Sequence, residues 1–169
     1  MRDASITIAA ALGRDLEAIN EIYNHYVRTT AITFDLEPRS MAWRRAWFRE
    51  NGEDGPYRLF VARGAAEVIG YASSSSHRPR GAYVTSVETS VYLAPGHIGR
   101  GVGTELYRRL LLELEDEDVH RAYAGITMPN PASVRLHDRL GFRRVGTFTE
   151  QGRKFGRYWD VAWYERPVP

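Results

Sequence analysis

The chain contains no cysteine. This excludes a disulfide framework, a thiol nucleophile and any zinc site built on thiolates. Neither sign of charge dominates: 23 Lys and Arg stand against 21 Asp and Glu, a formal net charge of +2. That balance is too even for a nucleic-acid-binding surface. No apolar run approaches the roughly 20 residues of a membrane span, and Met1-Arg2-Asp3 leads into no stretch of secretory length. The expectation is a cytoplasmic protein with no membrane or nucleic-acid partner and no metal. Internal repeats and low-complexity tracts are missing too, so 1–169 is expected to form one domain.

What is present is enough for a core without cross-links. Hydrophobic residues make up 43% and aromatics 12%, with four Trp and ten Tyr, which rules out a disordered chain. Most basic residues are Arg, a side chain suited to bidentate contact with carboxylate or phosphate.

Periodicity divides the chain into elements. Ser5–Ala11 alternates weakly as a first strand. Asp15–Val27 places Leu16, Ile19, Ile22, Tyr23 and Tyr26 at helical spacing. Thr29–Phe34 is β-branched and aromatic, hence extended or loop. Ser40 caps a second helix holding Trp43, Trp47 and Phe48, and Asn51–Pro56 is a turn. Tyr57–Arg63 and Val68–Ser75 read as strands joined by Gly64–Glu67, and Ser86–Leu93 as a third, after the loop His77–Gly81. A helix runs from Thr104 to about Asp116 with Leu106, Leu110, Leu111 and Leu114 on one stripe. Ala122–Thr127 is a strand and Pro131–Leu140 a helix, with Val134, Leu136 and Leu140 inward and Gly141 as its C′ residue. Phe142–Glu150 and Tyr158–Glu165 form a final antiparallel pair connected by Gln151–Gly156. This order indicates an α/β or α+β fold with a mixed sheet.

Three features carry chemistry. The first is the turn from Pro95 to Thr104, with glycines at 96, 99, 101 and 103. Glycines let a ligand approach the backbone, and the helix that follows offers unpaired N–H groups at its positive end. An anion, a phosphate or diphosphate, fits there. A nucleotide P-loop needs Gly-Lys before Ser or Thr, and Gly103-Thr104 has no Lys. The dinucleotide pattern G-x-G-x-x-G fails as well: counted from Gly99 it ends on Thr104, and from Gly101 on Leu106. The second feature is Val87-Glu88-Thr89-Ser90-Val91-Tyr92, where Glu88 shares a strand face with Ser90. A partly desolvated Glu88 is a proton acceptor near neutral pH; a well-solvated one is only a surface charge. The third is Asn130-Pro131-Ala132-Ser133-Val134-Arg135-Leu136-His137. Ser133 and His137 share a helix face. By spacing alone His137 is an acid–base group or a packed histidine, and Asn130 a ligand contact or a helix cap.

Together the ordered set resembles the GNAT acetyltransferase superfamily, and within it the phosphinothricin (L-amino-acid) N-acetyltransferases. The resemblance covers nearly the whole chain. Ile22-Tyr23-Asn24-His25-Tyr26-Val27, Thr30–Pro38, Arg80-Gly81-Ala82-Tyr83 and Gly152-Arg153-Lys154-Phe155-Gly156-Arg157-Tyr158-Trp159-Asp160 match the subfamily's segments.

The resemblance implies a mostly antiparallel mixed sheet of about seven strands, flanked by helices on both faces and splayed between its fourth and fifth strands. It implies acetyl-CoA as co-substrate: pantetheine along the backbone of Val91, Tyr92 and Leu93, and pyrophosphate on Gly99, Arg100, Gly101, Val102, Gly103 and Thr104. Asn130 and Ser133 contact the cofactor from the second half. Glu88 is the implied general base for a small primary amine, which attacks the thioester directly. His137 stands where many relatives carry a Tyr that protonates the leaving thiolate. Phe34, Arg78, Arg80 and Tyr83 are the implied substrate contacts, the arginines for substrate anions. A homodimer is implied. Ile98 departs from the pattern, because the family's turn usually begins there with Gln or Arg; Arg100 is the expected replacement charge. A polyamine, an aminoglycoside or a peptide N-terminus remains an alternative acceptor, and a non-catalytic acyl-CoA sensor an alternative role.

Overall fold

The computed structural model describes residues 6–50, 54–65 and 67–169. Seven strands form one sheet: β1 (Thr7–Ala10), β2 (Leu59–Gly64), β3 (Glu67–Ser76), β4 (Ser86–Leu93), β5 (Arg121–Thr127), β6 (Arg143–Lys154) and β7 (Arg157–Pro167). Their order across the sheet is β1-β2-β3-β4-β5-β7-β6. Every neighbouring pair is antiparallel except β4 and β5. The expected mixed, mostly antiparallel sheet is therefore observed. Ser5, part of the Asn51–Pro56 turn and part of the Gly64–Glu67 connection lie outside the described residues.

Helices α1 (Leu16–Thr29) and α2 (Met41–Phe48) cover one face of the sheet, and α3 (Val102–Glu115) and α4 (Pro131–Arg139) adjoin the other. Alternation along β2 serves both layers. Phe60 and Ala62 join the α3 core, whereas Leu59 and Val61 pack under α1. The leucine stripe of α3 is buried as expected, with Leu106, Leu110 and Leu114 wholly inaccessible. Burial of each such side chain contributes about 1.5–3 kcal/mol.

Local details sharpen or change the sequence reading. Helix α3 begins at Val102, two residues before the expected Thr104, because Gly101 takes the left-handed conformation (φ 83°) and serves as its N-cap. In α2 Trp47 and Phe48 pack against the core, and Arg44 is the fully buried residue, 2% exposed. Its guanidinium lies 5.0 Å from the Tyr23 and Trp43 ring centres and 4.6 Å from that of Trp47, so π faces replace water around it. Around α4, Val134, Leu136 and Leu140 face the core as expected, and His137 is buried with them. Finally, Gln151–Lys154 is strand rather than connection. The ladder slips between Phe148 and Gly152 and resumes, so the turn is only Phe155-Gly156, both with positive φ. Gly141, with φ 78°, follows α4 as expected.

Candidate active site

The parallel ladder between β4 and β5 is short. Ser86, Val87 and Glu88 pair with Arg121, Ala122 and Tyr123, and there the pairing ends. Beyond Glu88 the strands diverge and open a cleft of about 360 Å³. Val91, Tyr92 and Leu93 form one wall, and Asn130 and Ser133 of α4 the other. Tyr26 donates its hydroxyl to the Leu93 carbonyl at 2.6 Å and fixes that end of the strand.

The glycine turn closes the mouth of the cleft. Gly99 and Gly101 have φ 82° and 83°, and a Cβ on either would meet open space. Their backbone thus faces the cleft rather than a packed neighbour. Thr104 and Glu105 spend their N–H groups on the Gly101 carbonyl, at 3.0 and 3.2 Å. Val102 and Gly103 precede them and have no partner within the helix, so their N–H groups point out of its positive end. Thr104 lines the cleft, but its amide is already spent. The side chain of Val102 is buried in the core. Arg100 is exposed and does not line the cleft; Arg135 and Arg139 of α4 do, beside the exposed Ile98. Reading the sequence missed both arginines, although their i, i+4 spacing was a visible signal.

A narrow pocket of about 60 Å³ continues beneath the parting, between Thr89, Tyr107 and His137. These three residues form a hydrogen-bonded chain. The Nδ1 of His137 lies 2.8 Å from the Ser133 carbonyl; a carbonyl only accepts, so Nδ1 carries the proton. Burial holds the His137 imidazole below its usual pKa, hence neutral, and Nε2 accepts from the Tyr107 hydroxyl at 3.0 Å. The Thr89 hydroxyl lies 2.8 Å from the Tyr107 oxygen and 3.1 Å from the Tyr123 carbonyl, two acceptors for its one proton. Tyr107 is fully inaccessible, and burial raises its phenol far above the usual value. No sequence signal marked Tyr107, which lies next to the leucine stripe of α3.

Glu88 projects to the opposite face of β4 from Thr89, toward the α1 side. Desolvation raises its carboxyl above the ordinary glutamate value, and the nearby charge of Arg78 opposes this in part. His77 stands 3.9 Å from the carboxylate. The arrangement places a poised carboxylate on one face of the parting and a neutral imidazole with a phenol on the other.

The four expected substrate contacts are not gathered equally. Arg78 acts on Glu88 through its charge. Phe34 sits against Gly152, where a Cβ would fall within 2.4 Å of its ring. Arg80 flanks the short 3-10 turn Gly81–Tyr83. Arg80 and Tyr83 are exposed, and neither lines the cleft.

The acetyltransferase (GNAT) family model matches residues 17–142, which includes β4, the glycine turn and α4. The chain belongs to the GNAT acetyltransferase family. It is 58% identical to a phosphinothricin N-acetyltransferase of Streptomyces coelicolor, over 98% of each chain. It is 36% identical to an L-methionine sulfoximine/L-methionine sulfone acetyltransferase of Pseudomonas aeruginosa, covering 98% of this chain and 92% of the relative. The structure of a GNAT superfamily phosphinothricin acetyltransferase from Sinorhizobium meliloti in complex with AcCoA superposes with a TM-score of 0.91 at 34% identity, covering 96% of this chain and 88% of that one.

As a GNAT enzyme the protein is an acetyltransferase that uses acetyl-CoA. The cleft fits that donor on its own geometry: an extended strand edge without a partner, ending at open glycine backbone and outward N–H groups, suits a long chain with a diphosphate. Among the described residues no three His, Asp or Glu side chains cluster as metal ligands. No described helix is long and apolar enough to cross a membrane.

Proposed function

We propose that the enzyme acetylates the primary amine of a small amino acid or amino-acid analogue, of the phosphinothricin or methionine sulfoximine type, with Glu88 as general base. The observation that carries this reading is the position of Glu88: a desolvated carboxylate at the last rung before the sheet opens. The similarity to enzymes named for those two substrates supports the substrate class.

In this reading acetyl-CoA supplies the acetyl group as a thioester. Unpaired β4 backbone at Val91–Leu93 orients the donor, and the N–H groups of Val102 and Gly103 with the Thr104 hydroxyl hold its diphosphate. Glu88 removes a proton from the substrate ammonium, directly or through one water, and frees the lone pair for attack. Tyr107 and His137 form the proton source on the thiolate side. Arg78 and Arg80 receive substrate anions, and Phe34 and Tyr83 wall the pocket. The enzyme works as one domain and as a homodimer.

The test is free-CoA release across a panel of amino acids, phosphinothricin, methionine sulfoximine, a polyamine and an aminoglycoside. Turnover should be confined to the amino acids and the two analogues, and Glu88→Gln should lower kcat/KM by about 10²–10⁴ without changing acetyl-CoA affinity. A preference for the polyamine would overturn the substrate class; acetyl-CoA binding without turnover of any amine would favour a sensor.

A further inference from the structure

His77 is the one histidine whose ring stands beside the proposed base. It sits just beyond β3, its N–H held by the Ser86 carbonyl at 3.4 Å. The ring stacks on Tyr123 of β5 at 4.3 Å between centres, tilted by 18°. Trp163 of β7 meets it edge-on at 6.0 Å. The ring cannot turn freely between those two, so the direction of its nitrogens is set. Nδ1 points toward Glu88, with 3.9 Å between it and Oε2. That Nδ1 is buried and has no hydrogen-bond partner.

A buried nitrogen without a partner costs about 1–3 kcal/mol, so an arrangement that keeps one calls for a reason. Packing alone does not supply it, since a phenyl ring would stack on Tyr123 equally well with no polar atom to bury. An approach of about 1 Å would bring Nδ1 and the carboxylate to hydrogen-bond distance, the kind of tightening that active sites show once substrate is bound. The titratable groups facing the ring are Glu88 from β4, Arg78 from the same loop and Tyr123 from β5.

We infer that His77 is the positioning residue of the base: its Nδ1–H donates to the Glu88 carboxylate once the site tightens and so holds the ionised form of the base toward the substrate. Burial and the Arg78 charge keep His77 below its usual pKa, so the ring is neutral and carries one proton, on Nδ1. The inference rests on Glu88 as base.

Two measurements test it. In His77→Phe, which keeps the stack, the acid limb of kcat/KM against pH should move up by about one unit, because the carboxylate loses a group that favours its charged form. Below the limb kcat/KM should fall about tenfold, and on the plateau it should stay within about twofold. The acetyl-CoA KM should not change. Superimposable pH profiles would overturn the inference. Imidazole NMR titration of the wild type and Glu88→Gln gives a second readout that needs neither turnover nor a folded His77 variant. The His77 midpoint should drop when the carboxylate is removed; an unchanged midpoint would overturn the coupling. Full turnover in Glu88→Gln would instead remove the base assignment, and the titration would still report on the pair.

Discussion

Glu88 and Tyr123 face each other across the last rung of the parallel β4–β5 ladder. One residue later Thr89 has no partner in β5, and its hydroxyl reaches the Tyr123 carbonyl instead. The base candidate and the start of the cofactor cleft are thus set by the same event, the end of pairing. Consecutive residues point to opposite faces there, which separates the carboxylate from the Tyr107–His137 pair.

A desolvated carboxylate weakens the fold once it ionises. The raised pKa of Glu88 means that the folded state binds its proton more tightly than the unfolded chain. Below the unfolded pKa both states are protonated and the cost is absent; it appears as pH rises through the interval up to the folded pKa. Glu88→Gln should therefore melt higher than wild type at pH 7.5, with the difference shrinking toward pH 4. Thermal melts across that range check the sign, and equal gains at both ends would refute the desolvation argument.

Tyr107→Phe removes the hydroxyl between Thr89 and His137. It leaves Nε2 of His137 buried without a donor, at a cost of about 1–3 kcal/mol in unfolding free energy. The lost bond favoured the neutral imidazole, so the His137 titration should move to higher pH. Denaturant unfolding and NMR titration measure the two effects.

Gly152 and Phe34 cannot both keep their places if a methyl group is added. A Cβ at 152 would lie 2.4–2.6 Å from three ring atoms, and the ring must swing away. The surrounding loop is anchored: Lys154, the only lysine of the chain and buried, donates to the Thr33 carbonyl at 2.8 Å. Gly152→Ala should raise the KM for the amine and leave that for acetyl-CoA unchanged, with a stability loss of about 1–3 kcal/mol. An unchanged amine KM would take Phe34 out of the substrate pocket.

Much of this architecture was readable because it follows simple periods. The Leu106–Leu110–Leu114 stripe and the Gly141 stop mark their helices directly, and the glycine turn with Glu88 and His137 points to the candidate site. What escaped was set by contacts between distant segments. Arg44 reads as a polar residue between two tryptophans, and only the packed α1–α2 pair turns it inward against their faces. Gln151–Lys154 contains Gly152 and reads as a loop; its glycine is needed for Phe34, far away in sequence. His77 lies in a stretch of Arg, Pro and Gly, and its partner Tyr123 arrives only when β4 and β5 pair.

Gly101 tests the anion cradle through its backbone. At φ 83° an alanine costs about 1–2 kcal/mol in the left-handed region. The strain relaxes by rotating the first turn of α3, which turns the N–H groups of Val102 and Gly103 away from the cleft. Gly101→Ala should lose acetyl-CoA affinity in calorimetry, whereas the amine KM at saturating acetyl-CoA holds.

Charge at the rim separates two accounts of how Ile98 is tolerated. Arg100 is adjacent in sequence but outside the lining, whereas Arg135 and Arg139 line the cleft. Many arginines are held by carboxylates, such as Arg58 by Glu117, Arg63 by Asp15 and Arg109 by Glu113. Arg135 and Arg139 have no such partner among the described residues, so both are free to meet phosphate. Arg139→Ala should weaken acetyl-CoA binding about fivefold at low salt, with a smaller effect at high salt as screening takes over. Arg100→Ala should stay within about twofold, since an exposed charge contributes little in water. Calorimetric titration of both variants at two salt concentrations decides the matter. A larger loss at Arg100 would return the missing side-chain charge to the turn; a larger loss at Arg139 assigns it to α4, on the opposite wall of the cleft.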